Sequence, residues 1–120
     1  MAPMLPRLFF EHFWDSSLAA EQDDRLVGFL IGFRSQTTPS VAYIHFVGVA
    51  PQLRGNGLGR TLYERFFDDA RLHGCSSVCC VTSPVNTGSI AFHRSMGFRD
   101  RLHPDHDGPG SDRVVFERDL

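Results

Sequence analysis

Residues 41–60, VAYIHFVGVAPQLRGNGLGR, change their period halfway along. Val41, Tyr43, Ile44, Phe46, Val47 and Val49 are β-branched or aromatic, and Pro39 and Pro51 bound the run, which predicts a strand. From Leu58 onward the apolar positions instead recur at helical spacing. Leu58, Leu62 and Phe66 form a stripe that Tyr63, Phe67 and Ala70 widen, which predicts a helix with one buried face. Gly74, directly after His73, stops that helix. Residues 77–82, with VCCV at their centre, read as an apolar strand suited to a buried sheet position. A strand, a helix and a strand of these lengths predict a parallel pair with a right-handed crossover.

Upstream, residues 25–34 (RLVGFLIGFR) predict a second strand, joined through a tight Asp23-Asp24 turn to a short strand within residues 16–22. Gly28 and Gly32 thin this strand and mark places where a ligand or a neighbouring backbone can come close. Residues 5–14 (LPRLFFEHFW) form a helical face or an apolar entry segment. Downstream, residues 86–96 predict a helix carrying Ile90, Ala91 and Phe92, with Gly97 as its stop. A closing hairpin follows at residues 98–102 and 113–119. With no repeat and no linker, residues 1–120 are expected to form a single domain with one core.

A net charge of −2 gives no reason to expect nucleic acid as a partner. No apolar run reaches the length of a membrane span and the first residues lack the apolar centre of a signal peptide, so the cytoplasm is the expected location. Cys79 and Cys80 are adjacent on a strand and point to opposite faces. Together with Cys75 they read as small apolar residues rather than a disulfide. His103, Asp105, His106 and Asp107 carry metal-ligating side chains, but the surrounding Pro104, Gly108, Pro109 and Gly110 offer no rigid frame, so a solvated loop and no metal are expected.

The turn between strand and helix holds the candidate chemistry. Gly55, Gly57 and Gly59 precede or open a helix whose first N–H groups have no helical acceptor, and Arg54 and Arg60 add positive charge. That combination is a phosphate cradle. The dinucleotide pattern G-x-G-x-x-G fails because Arg60 stands at the last place, and no G-K-[ST] is present for a P-loop. The pattern Q-x-x-G-x-G fits at Gln52, Gly55 and Gly57, directly after a strand ending Val49-Ala50-Pro51. With the continuation Leu58-Gly59-Arg60-Thr61-Leu62 and a second motif from Asn86 to Gly97-Phe98, it resembles the acyl-coenzyme A loop of the GCN5-related N-acetyltransferase (GNAT) family. The likeness covers roughly residues 25–98.

The resemblance implies an α+β fold, a twisted mixed sheet of about six strands flanked by helices. It implies acetyl-CoA as acyl donor, with its phosphates on Gln52, Leu53, Arg54, Gly55, Asn56, Gly57, Leu58, Gly59 and Arg60. The acetyl and pantetheine parts would lie along Phe46, Val47, Gly48 and Val49, and Asn86 would bond the pantetheine amides, although an ordinary helix cap is also expected there. The family pattern has another strand and helix ahead of a segment such as residues 5–14, so this chain reads as a trimmed form, a truncation or a late start. Apolar surface would then be exposed, or covered by a second subunit in a homodimer.

Acetyl transfer to an amine makes three demands. The amine must be neutral although a lysine-type amine has a pKa of about 10.4. The carbonyl oxygen needs fixed N–H donors, and the leaving thiolate needs a proton. A bulge at Gly48 is expected to free backbone groups at Val47 and Val49 for the acyl end. His45 occupies the place where many family members carry a general-base glutamate. It is either that base or a histidine hydrogen-bonded beside Tyr43 and Phe46. His93 stands four residues before the Gly97-Phe98 pair, where the family often has a tyrosine that protonates the sulfur. It is either that acid or a helix-surface residue. The expected reaction is direct attack by a primary amine. The alternative is a non-catalytic acyl-CoA sensor or structural subunit, and a generic nucleotide-phosphate binder is the third reading. Nothing in the sequence selects the acceptor among an amino acid, a polyamine, an antibiotic amine and a protein terminus.

Overall fold

The structure is a computed structural model that describes residues 9–12, 17–55, 57–106 and 108–120. Its elements are β1 (Phe9–His12), β2 (Leu18–Gln22), β3 (Arg25–Arg34), β4 (Val41–Val49), α1 (Leu58–Leu72), β5 (Ser77–Thr82), α2 (Thr87–Ser95), β6 (Arg99–His103) and β7 (Arg113–Asp119). They build one mixed sheet of seven strands in the order β1-β2-β3-β4-β5-β7-β6. β4 and β5, joined through α1, are the parallel pair, and the other neighbours run antiparallel.

The expected strands at 25–34 and 77–82 appear with those bounds. The turn between β2 and β3 has two residues, Asp23 and Asp24, at φ 52° and 64°. Both are left-handed, the conformation that matches a two-residue hairpin to the strand twist and that aspartate tolerates. Part of the apolar entry segment departs from the helical alternative. Phe9–His12 is an edge strand whose backbone is paired in register with β2, from Phe9 opposite Glu21 to His12 opposite Leu18. The rest of residues 5–14 lies outside the described residues.

Both helices pack on one face of the sheet. Leu30, Leu58, Leu62, Phe66, Val78 and Phe116 are fully buried there. Tyr63 and Phe67 of α1 meet Phe98, which meets Phe116 of β7 and His93 of α2, so aromatic edges tie the two helices to β7. Gly28 and Gly32 make room for this packing. A Cβ on Gly32 would stand 2.4 Å from Phe66, and one on Gly28 would stand 3.0 Å from Leu58. On the opposite face Phe33 stacks on Tyr43 at 5.2 Å, while Phe33 and Phe46 remain 47% and 59% exposed.

The bulge expected at Gly48 lies instead at His45. Ile31 pairs with Phe46 and the next β3 residue, Gly32, pairs with Ile44, which leaves His45 as the extra residue of β4. Gly48 pairs regularly with Phe29. It is glycine because the Phe29 ring comes within 2.5 Å of where a Cβ would be. The bulge changes the phase of the strand. Ala42 and Ile44 point toward the helices before it, and Val47 and Val49 do so after it, where unbroken alternation would have turned in Phe46 and Gly48.

Candidate active site

β4 stays beside β5 only from Val41 to Tyr43, opposite Ser77 to Cys79, and then the two strands part. β5 continues on β7 as far as Thr82. Ala50 donates its N–H to the Val27 carbonyl at 2.8 Å, so by the alternation of an antiparallel ladder Val47 and Val49 turn their backbone groups away from β3, into the gap that β5 leaves. The Val49 carbonyl accepts from Arg54 Nε at 3.3 Å, on that side. A row of backbone donors and acceptors thus faces open space inside the sheet.

The row runs on into the start of α1. Pro51–Leu53 form a 3₁₀ turn anchored by the buried Leu53, and Gly55 and Gly57 then take φ of 84° and 82°, which an L side chain resists. Gly57 caps α1 with no side-chain hydrogen bond, and the first helical bond runs from Thr61 N–H to the Gly57 carbonyl at 3.0 Å. The N–H groups of residues 58–60 therefore have no acceptor within the helix and face outward with the positive end of its dipole. A cavity of about 590 Å³ joins this helix start to the gap between β4 and β5, a size that suits a small organic ligand.

Of the residues expected at the site, Val47, Gly48, Val49, Leu53, Arg54, Gly55, Gly57, Gly59, Arg60, Asn86 and His93 line this cavity. Asn86 both lines it and caps α2, its Oδ1 accepting from Ser89 N–H at 3.1 Å. Four others stand elsewhere. His45 is exposed on the bulge, edge-on to the exposed Phe46 at 5.2 Å, Gln52 is exposed, and the Leu58 side chain is buried in the core. Asn56 lies outside the described residues, as does Asp107.

His93 is not on the helix surface. It is 7% exposed and stacks flat on Phe116, 4.2 Å away at an interplanar angle of 12°. Its Nδ1 lies 2.7 Å from the Ser89 carbonyl, which can only accept, so Nδ1 carries the proton. Nε2 is then the acceptor for the Tyr63 hydroxyl at 2.8 Å. Burial pushes the His93 pKa down, opposed by the bond to Ser89, which favours the neutral ring. Burial, and after it the nearness of Cys80, pushes Tyr63 up.

Tyr63, Ser89 and Phe92 also line the cavity, outside the site residues legible in the sequence. Tyr63 looks like one more apolar position of the α1 stripe. Its sign was the spacing from Gly59, four residues and so one helical turn away on the cavity side. The cysteines take no part in the site. All three are free, and burial pushes the Cys80 thiol up to about 12, which leaves it protonated and unreactive. In the closing loop the His103 and His106 rings meet at 4.8 Å, and the described residues hold no group of metal-ligating side chains.

The backbone row can be tested at a single N–H. Val47→Pro removes one N–H that β3 does not use, so the fold should survive while a ligand paired to that group is lost. Affinity for a ligand paired there is expected to fall about tenfold, the worth of one hydrogen bond, with a melting temperature lowered only by the lost Val47 packing. Calorimetric titration and a thermal melt read the two effects separately.

Comparison with known proteins finds the model of the Acetyltransferase (GNAT) family matching residues 2–98. L-2,4-diaminobutyric acid acetyltransferase of Nocardia farcinica is 33% identical over 92 residues, which are 77% of this chain and 48% of that protein. The chain thus spans about half the length of this curated relative. Nourseothricin acetyltransferase superposes with a TM-score of 0.75 at 28% identity, over 86% of this chain and 64% of that one. The yncA protein of Salmonella typhimurium, solved with its cofactor acetyl-CoA, gives 0.72 at 25% identity, over 87% and 64%.

Proposed function

The chain belongs to the GNAT acetyltransferase family, and from that premise we propose that it moves an acetyl group from acetyl-CoA to a primary amine by direct attack. One observation carries the reading. The backbone row of Val47 and Val49, which neither β3 nor β5 pairs, and the uncapped start of α1 open on one cavity, which suits a ligand with an extended amide-bearing arm at one end and phosphates at the other. The arm would lie along β4 as an added strand, with Asn86 across from it. The phosphates would take the N–H groups of residues 58–60, with Arg54 and Arg60 supplying charge.

The chemistry then divides among the remaining groups. His45, on the solvent side of the bulge, takes the first proton from the incoming ammonium so that a neutral amine attacks. The N–H groups of Val47 and Val49 hold the developing oxyanion. His93 takes part in delivering the proton that the leaving sulfur needs. L-2,4-diaminobutyric acid, the amine named for the Nocardia relative, is the first acceptor to assay. The free thiols of Cys75, Cys79 and Cys80 support a reducing compartment, the cytoplasm, and the net charge of −2 supports a role without nucleic acid. No described helix is long and apolar enough to cross a membrane. A second copy of the chain, covering the exposed Phe33 and Phe46, is the homodimer that this reading includes.

A non-catalytic acyl-CoA sensor is the second reading, and one observation favours it: His45 stands outside the cavity. Two measurements separate the readings. Acetyl-CoA or coenzyme A at about 100 times its dissociation constant should add roughly 2.7 kcal/mol, a rise of several degrees in Tm, while ATP and NAD leave Tm unchanged. His45→Ala should then lower thiol release with the acceptor amine at unchanged coenzyme affinity. A chain that binds both coenzyme forms but releases no thiol with any amine is a sensor. One that also shifts with ATP is a general phosphate binder.

A further inference from the structure

Both ring nitrogens of His93 are engaged within the protein, Nδ1 also lying 3.2 Å from the Ser89 hydroxyl. Its Nδ1 proton is given to the Ser89 carbonyl, and its Nε2 faces the Tyr63 hydroxyl at 2.8 Å. One face of the ring is closed by Phe116, stacked at 4.2 Å, and Phe92 and Phe98 meet the ring in edge contacts at 5.5 and 5.2 Å. With Nδ1 already carrying a proton, a proton that His93 accepts enters at Nε2, and the group facing Nε2 is the hydroxyl of Tyr63, a residue that also lines the cavity. Resting on the acetyltransferase reading, we propose that the Tyr63 hydroxyl is the catalytic group that touches the reacting nitrogen and sulfur, with His93 behind it as the proton store.

The protons balance. After His45 has removed the first proton, attack of the neutral amine forms the new C–N bond and leaves a second proton on the nitrogen of the tetrahedral intermediate. That nitrogen and the sulfur are bonded to the same carbon, so one hydroxyl reaches both. Tyr63 gives its proton to His93 Nε2 and takes the proton from nitrogen. As the C–S bond breaks, Tyr63 gives a proton to the thiolate and His93 returns one to the Tyr63 oxygen. The net change is one proton from nitrogen to sulfur, and both residues end as they began. The neutral ring is the form that can accept, and the Ser89 carbonyl steadies the imidazolium while it lasts. Neither protein group needs to be released as an ion to solvent.

The test needs no acceptor. Coenzyme A is bound to the wild-type chain and to Tyr63→Phe, and its thiol is titrated by the ultraviolet absorbance of the thiolate against protein alone. Tyr63 donating to sulfur should hold the bound thiolate, so its titration in the wild type should lie about one pH unit below that in Tyr63→Phe, with similar coenzyme affinity in both. Equal titrations in the two proteins overturn the proposal and leave the acetyltransferase reading standing. A wild-type chain that does not bind coenzyme A overturns both. Should Tyr63→Phe fail to fold, nitrogen NMR of the wild type decides. The His93 Nε2 resonance is expected to move when coenzyme A is added, and to stay still if Tyr63 does not contact the sulfur.

Discussion

Phe116→Ala is expected to cost about 3–5 kcal/mol of stability, the range for removing a fully buried aromatic ring from a core that collapses only in part. Phe116 is 0% exposed, stacks on His93 and meets Phe98 edge-on at 6.4 Å. It therefore holds α2 against β7 as well as filling space. A domain of this size has a total of only about 5–15 kcal/mol to lose, so the variant should sit near the edge of folding at 37 °C. Urea unfolding followed by circular dichroism should show the midpoint lower by about 2 M. Below the new melting temperature coenzyme affinity should hardly change, because Phe116 is not among the residues that line the cavity. A loss under about 1 kcal/mol would mean that α2 docks through contacts other than this stack.

Gly32→Val is the second large effect, an expected loss of about 3 kcal/mol from overpacking. A Cβ there would meet Phe66 Cε1 at 2.4 Å and Cζ at 2.7 Å, and the Tyr43 carbonyl oxygen at 3.0 Å. Phe66 is 1% exposed and has nowhere to turn, and the opposing carbonyl is backbone. Ser17 adds a constraint, since its buried hydroxyl accepts from Gly32 N–H and donates to the Gly32 carbonyl, both at 3.2 Å. Gly28→Ala is the matched control. Its Cβ would meet Leu58 Cδ2 at 3.0 Å, and the Gly48 carbonyl oxygen and Leu62 Cδ1 at 3.3 Å, wider than the contacts at Gly32, and it removes freedom from the unfolded chain. Its cost should stay below about 1 kcal/mol. Two glycines four residues apart on one strand should thus differ by severalfold in a thermal melt.

Much of this arrangement was legible. Strand, glycine turn and helix over residues 41–60 announced themselves by a change of period, and β3 and β5 were bounded by the polar turns around them. Glycine is a misleading marker for the bulge, because Gly48 answers to the Phe29 ring. The true sign was in the same run. Buried side chains stand at Ala42 and Ile44, and the next inward pair is Val47 and Val49, a break in alternation that locates the extra residue between them. The burial of His93 was not legible. It depends on Phe116 from the last strand and on Tyr63 from the other helix, and no local pattern around His93 records either partner. The position of the histidine on α2 suggests chemistry, while its hydrogen-bond and stacking partners come from α1, α2 and β7.

The parting of β4 from β5 also bears on how this chain can change. Sheets usually have their bare edges at the rim, where they must be guarded against pairing with other chains. Here the bare edge is in the middle, closed at one end where Val41–Tyr43 rejoin β5 and bordered by the helix face. What it presents is main chain, and every residue except proline supplies the same main chain. Most point mutations at 47 or 49 would therefore keep the donors and acceptors that the arm of a ligand needs. The donor half of such a site is robust to substitution, which leaves the side chains around it free to drift toward one acceptor or another.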